Sequence, residues 1–176
     1  RRQALISAAP SFRSPFPWHA SSAASPNACA PLRNAADGFI TPMAAVAGAV
    51  AQELIGAYQR LGIARAWVNN GGDIALHLAP GECLRAGVVS DPGGHVFGGA
   101  RRGGLSGGFV ISHAMPVRGV ATSGWPGRSL SLGIADSVTV LAASAAQADA
   151  AATMIANAVD ADHPAIVRRR ACDVRD

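Results

Sequence analysis

Residues 64–79 read ARAWVNNGGDIALHLA. Two runs of mainly apolar and small residues, 64–69 and 73–79, flank Asn70, Gly71 and Gly72. Asn and Gly tolerate the positive φ that a tight turn demands, so the stretch reads as a β-hairpin. Further strand-like runs follow at 84–90 (LRAGVVS), 108–114 (GFVISHA), 117–122 (VRGVAT) and 131–143 (SLGIADSVTVLAA). Residues 64–143 are therefore expected to be β-rich, with the Gly-rich stretch 91–107 as a mobile loop.

Two Ala-rich helices are expected on either side. Over 41–62, Thr41 offers an N-cap, Pro42 occupies the first helical position and Gly62 follows the last turn. Apolar and small residues surround this helix almost completely, which predicts burial on all sides, with Gly48 and Gly56 admitting another backbone. Over 144–159 (SAAQADAAATMIANAV), Ser144 and Gln147 form a capping box. A short strand is expected at 165–169. Residues 1–40, rich in Ser, Pro and Ala, read as an irregular N-terminal segment after a short helix over 1–9. Residues 41–176 then form one α+β domain, a mixed or antiparallel sheet packed by Ala-rich helices.

Composition narrows the function. Of the 176 residues, 49% are apolar and 15% charged, which excludes disorder throughout. All fifteen basic residues are Arg, so no lysine Schiff base or Walker-type lysine is available. The net charge of +4 comes without a basic cluster interleaved with aromatics, so no nucleic-acid partner is expected. Cys29, Cys83 and Cys172 make neither a disulfide framework nor a metal knuckle, and read as reduced thiols of a cytoplasmic protein. No apolar run is long enough for a membrane span. The first residue is Arg rather than Met. The true N-terminus is therefore expected upstream, which leaves export open as an alternative to a cytoplasmic location.

Three places could carry chemistry. Asp149 and Thr153 lie four apart, so they share one helix face, and Asn157 extends the stripe. Two hard oxygens at that spacing suit Mg²⁺. The alternative is that Asp149 favours its own helix dipole while Thr153 bonds back to the backbone. The turn Asn69, Asn70, Gly71, Gly72 and Asp73 offers free amides to a phosphate, or is an ordinary hairpin turn. Thr122, Ser123, Gly124, Trp125 and Arg128 supply hydroxyls, an indole for stacking and a cation for an anionic group, or form a surface turn. All three are expected to meet at one concavity, because ligand sites gather polar groups at strand ends. The five His residues show no zinc spacing. A Ser-His-Asp hydrolase built on Ser123 and Asp136 lacks the G-x-S-x-G elbow.

In this order, MAAVAGAV (43–50), VNNGGDI (68–74), ATSG (121–124), DSVTV (136–140) and QADAAAT (147–153) resemble the ApbE superfamily, whose characterised members are FAD:protein FMN transferases. The run VATSGWPGRSLSLGIADSVTVLA is similar still more closely to an uncharacterised ApbE-like branch. The resemblance implies an ApbE-like fold, with Asp149 and Thr153 as Mg²⁺ ligands. It also implies that 69–73 and 122–124 form parts of the wall of a pocket for FAD or a related flavin nucleotide. Two departures accompany it: no Lys stands in the first-helix motif, and an H-x-x-D-P-x-T-G segment is missing before DSVTV. Together they imply a flavin- or nucleotide-binding protein with altered or lost FMN transferase activity. A non-catalytic module supporting a redox protein partner is the alternative, and a homodimer is an expected assembly.

Overall fold

A computed structural model describes residues 3–7, 41–88, 107–126, 131–169 and 173. Arg128, the 91–107 loop up to 106, Cys29 and Cys172 lie outside the described residues. A five-stranded sheet runs in the order β1 (Gln3–Ser7), β7 (Ser137–Ala142), β6 (Gly119–Ser123), β3 (Asp73–Leu78), β2 (Arg65–Asn70). β1 pairs parallel with β7, and the other neighbours are antiparallel. A second sheet pairs β4 (Cys83–Val88) with β5 (Gly107–Ser112). The fold is α+β.

Side-chain alternation along each strand sorts the layers. Ala121, Val138 and Val140 pack against Ala148, Ala152 and Ala156 of helix α2 (Ala145–Ala158). Ala75 packs with Ala51 and Ile55 of helix α1 (Val46–Ile55). The other sheet face carries Leu76, Leu78, Val120 and Leu141, which meet Leu84, Phe109 and Ile111 of the β4–β5 ribbon. Small residues on both sides let α2 sit close to the sheet.

Several expectations are corrected, among them the strand expected over 131–143, which is confined to Ser137–Ala142. The segment over 1–9 contains a strand, Gln3–Ser7, not a helix. A helix so short gains few hydrogen bonds against its nucleation cost, whereas an open edge of β7 offers a full ladder. The first helix is shorter than 41–62. It opens with a 3-10 turn at Pro42–Ala45 and ends in another at Gly56–Tyr58, and Thr41 makes no side-chain cap. It is also not buried all round: Gly48, Ala51 and Ile55 are buried, while Met43, Val46, Val50 and Leu54 are exposed. As an outer-layer helix it presents one stripe to the sheet and α2. Finally, 165–169 is not a strand; Val167 is exposed and Arg168 pairs with Asp160 at 2.7 Å.

At Gly48 the two helices touch. A Cβ there would run into the Ala145 carbonyl and come 2.8 Å from Asp149 Cβ. Gly56 has open space around it, so it serves no close approach. At the start of α2, Ser144 Oγ accepts the Gln147 N–H at 3.3 Å, which is one half of the capping box. The Ala146 N–H donates to Gln52 Oε1 of α1 at 3.2 Å. Among the described residues, no helix is long and apolar enough to cross a membrane.

Candidate functional site

The β2–β3 turn is set by its own chemistry. Gly71 and Gly72 adopt φ of +70° and +118°, and Asn69 Oδ1 accepts the Gly72 N–H at 2.9 Å. The register Ile74↔Val120 runs β3 antiparallel to β6, which puts the start of β3 beside the end of β6. The hairpin turn and the 122–125 segment therefore lie at one end of the sheet.

The residues leading into α1 are clasped between that turn and α2. Asn70 Nδ2 donates to the Ala47 carbonyl at 3.1 Å. The Gly48 N–H donates to Asp149 Oδ2 at 2.9 Å. Thr153 Oγ1 lies 3.4 Å from the Ala44 carbonyl oxygen. Asp149 thus serves the N-terminus of the opposite helix rather than its own, and Thr153 bonds to the opposite chain segment rather than back to its own helix.

Asp73 completes the cluster. Burial, and then the neighbouring Asp149 carboxylate, push its carboxyl up from the usual 3.8 to about 7, against the pull of the Thr122 N–H. Asp149 is also raised by burial, opposed by the Gly48 and Ala47 amides. Among the described residues, the ion pairs join Arg65 to Glu82 and Arg168 to Asp160, and none reaches either carboxylate of the cluster. Two half-buried carboxyls without a basic partner need either a proton or a cation between them.

The remaining candidates separate. Thr122 gives its N–H to Asp73, but its hydroxyl meets Thr139 Oγ1 at 2.9 Å, so the expected hydroxyl pair of Thr122 and Ser123 is not formed. Alternation along β6 sends Thr122 and Ser123 to opposite faces. Gly124 is buried, and a Cβ there would strike the Asp136 carbonyl. Trp125 is 53% exposed and its indole N–H donates to Asp136 Oδ1 at 3.2 Å. Asn157 departs from the stripe: its Oδ1 accepts from Ser131 Oγ and the Leu132 N–H, both at 2.9 Å, and so anchors a loop. Sequence reasoning expected Asp73 and Asp149 at one concavity but did not pair their carboxyls, and it missed the parts played by Ala44, Ala47 and Gly48. The one signal was an Asp closing the turn in N-N-G-G-D. No group of three or more His, Cys, Asp or Glu that could hold a metal occurs among the described residues.

A protein-family model described as AbpE bacteria matches residues 3–176. The chain belongs to that family. Its relatives include a UPF0280 protein of Methanosphaerula palustris, 42% identical over 123 residues, covering 68% of this chain and 47% of the relative. Another, from Methanothermobacter thermautotrophicus, is 41% identical over 128 residues, covering 69% and 43%. The UPF0280 protein MK0206 of Methanopyrus kandleri is 36% identical over 146 residues, covering 82% and 54%. This member of the family spans about half the length of the curated relatives it matches. No solved structure matches. These matches correct the expected kinship with the FAD:protein FMN transferases: they point to the AbpE and UPF0280 family instead. The five motifs are short and rich in Gly and Ala, so they carry less information than a match along the whole chain.

Proposed function

We propose that the chain binds a nucleotide, flavin nucleotides included, through a divalent cation such as Mg²⁺ at the Asp73–Asp149–Thr153 cluster. The observation that carries this reading is a pair of neighbouring half-buried carboxyls with no basic partner among the described ion pairs; burial first, and then the Asp149 carboxylate, raise Asp73 to about 7. The donors are of the right kind. Carboxylate, hydroxyl and carbonyl oxygens are what Mg²⁺ or Ca²⁺ takes, usually with waters and ligand phosphates completing the shell. Thr153 Oγ1 and the Ala44 carbonyl oxygen, 3.4 Å apart, add a hydroxyl and a carbonyl to the donor set. Asp149 gives Oδ2 to the Gly48 amide and keeps lone pairs for a cation. The exposed Trp125 indole supports stacking of a planar base or flavin ring at the same end of the sheet.

The test is thermal unfolding with FAD, FMN and ADP, each with and without Mg²⁺. A ligand at about a hundred times its Kd stabilises by roughly 2.7 kcal/mol. The reading expects a Mg²⁺-dependent rise for at least one of these, abolished by Asp73→Asn. No rise with any of them at millimolar concentrations refutes it and leaves the carboxyl pair as a helix cap alone.

A further inference from the structure

At the opposite end of β3 an open cleft of about 330 Å³ lies between the segment after α1 and the β3 terminus. Asp73 and Leu78 begin and end β3, so about 17 Å of strand separates this cleft from the carboxyl pair. Its volume falls at the small end of the range for ligand pockets, roughly 300–1,000 Å³. Leu61, Ile63, Leu78 and Pro80 give it apolar walls, and Leu61 is fully exposed without a covering partner.

Four polar side chains line it: Gln59, Arg60, His77 and His113. Each imidazole is held by a main-chain carbonyl. His77 Nε2 lies 3.0 Å from the Ile63 oxygen, and His113 Nδ1 lies 2.7 Å from the Leu78 oxygen. A carbonyl can only accept, so each ring donates its N–H there. Arg118 Nη2, 3.4 Å from the same His113 nitrogen, is therefore a contact and not a bond; its guanidinium is engaged by the carbonyls of His113, Met115 and Val117. In the tautomer so fixed, each ring keeps a lone pair on its other nitrogen, Nδ1 of His77 and Nε2 of His113. Such acceptors recognise hydroxyl donors. A metal cation is disfavoured, because the lining holds no carboxylate and its charged group is a guanidinium. Arg60 is the cationic side chain in the lining, and it suits a carboxylate.

We infer that this cleft binds a small hydroxylated organic acid. Its apolar body lies against Leu61, Ile63 and Pro80, its carboxylate meets Arg60, and its hydroxyl donates to an imidazole. The inference is independent of the carboxyl-pair site.

The test is calorimetric titration of the whole chain with 4-hydroxybenzoate as the probe, benzoate as the probe lacking the hydroxyl, and Zn²⁺ as a cation. Binding of 4-hydroxybenzoate is expected at millimolar or lower Kd, with benzoate at least about fivefold weaker, a difference near 1 kcal/mol. Arg60→Ala, an exposed position that should leave folding intact, is expected to weaken 4-hydroxybenzoate about tenfold. Asp73→Asn is expected to leave it unchanged. Absence of binding, equal affinity for the two acids, insensitivity to Arg60→Ala, or Zn²⁺ binding that displaces the acid would each overturn the inference.

Discussion

The Asp149 carboxylate on α2 accepts the N–H of Gly48, the third residue of α1, at 2.9 Å. The reverse service comes from Gln52 of α1, which accepts the Ala146 N–H of α2 at 3.2 Å. Each helix caps the other. α1 has no capping side chain of its own, since Ala45 stands at its N-cap, so Asp149 replaces a local Ser or Asp. Asp149→Ala should then destabilise the fold by about 1 kcal/mol, within the usual range of roughly 0.5–2 for a lost N-cap. Asp149→Asn keeps an acceptor oxygen and should recover most of that. Urea unfolding of both variants checks this, and equal losses for Ala and Asn would remove the capping role.

Gly48→Ala should be worse than its chemistry suggests. The added Cβ has to displace the Ala145 backbone and the Asp149 Cβ, and neither is the far end of a flexible chain. Overpacking of this kind costs about 1–3 kcal/mol. The loss should come with separation of α1 from α2, seen as earlier amide exchange across both helices. A Gly48→Ala variant as stable as the parent would mean that the two helices are not held this closely.

Asp73 gives the fold a pH dependence of definite sign. Its carboxyl protonates near 7 in the folded state and near 3.8 when free, so folding favours the protonated form. That contribution is present in full below about pH 4 and is lost as pH rises through about 7. Asp149 is shifted in the same direction. Asp73→Asn should therefore gain stability relative to the parent as pH climbs from about 5 to 8. Mg²⁺ should narrow that gap at the alkaline end, because a cation replaces the missing proton. A stability difference that stays flat over this range would count against the carboxyl pair.

The two sides of α1 should respond oppositely. Ile55 is 3% exposed and packs with Ala51 and Ala75, whereas its neighbour Leu54 is 54% exposed. Ile55→Ala should cost about 2–5 kcal/mol through the cavity it leaves. Leu54→Gln should stay within about 0.5 kcal/mol. Denaturant midpoints separate the cases, and a large loss at Leu54 would place that face against something.

How much of this was legible depends on the distance over which each interaction acts. The hairpin 64–79, the later strands apart from 131–136, and α2 with its Ser144 cap were readable, because turn residues, alternation and capping act within a few positions. Arg65–Asn70 and Asp73–Leu78 fall within one residue of the expected runs. The outer face of α1 was not readable: Met43, Val50 and Leu54 look like core residues, and only the layer arrangement shows that one stripe suffices. The Asp149–Thr153 stripe stood out by its spacing, but its partners, Gly48 and Ala44, come from a segment about a hundred residues away. No local pattern announces that Asp73 faces Asp149, or that Thr122 turns its hydroxyl to Thr139.

Gly72 offers a test that separates strain from crowding. Its φ is +118°, a conformation L side chains rarely adopt, yet a Cβ there would meet nothing within 4 Å. Gly72→Ala should thus lose stability by backbone strain alone, of the order of 1–2 kcal/mol. Its N–H is the group Asn69 Oδ1 accepts, so relaxing the turn to relieve φ also breaks that bond. The next residue is Asp73, so a shifted turn moves the carboxyl away from Asp149 and the Thr122 N–H. The expected signature is a joint one: lower stability, together with an Asp73 carboxyl that titrates closer to the ordinary 3.8, followed by carboxyl carbon NMR. Gly72→Val should show both effects more strongly, because a β-branched side chain resists positive φ further. If Gly72→Ala lowers stability while the Asp73 titration stays near 7, the turn does not position the carboxyl, and the sheet register alone holds it in place.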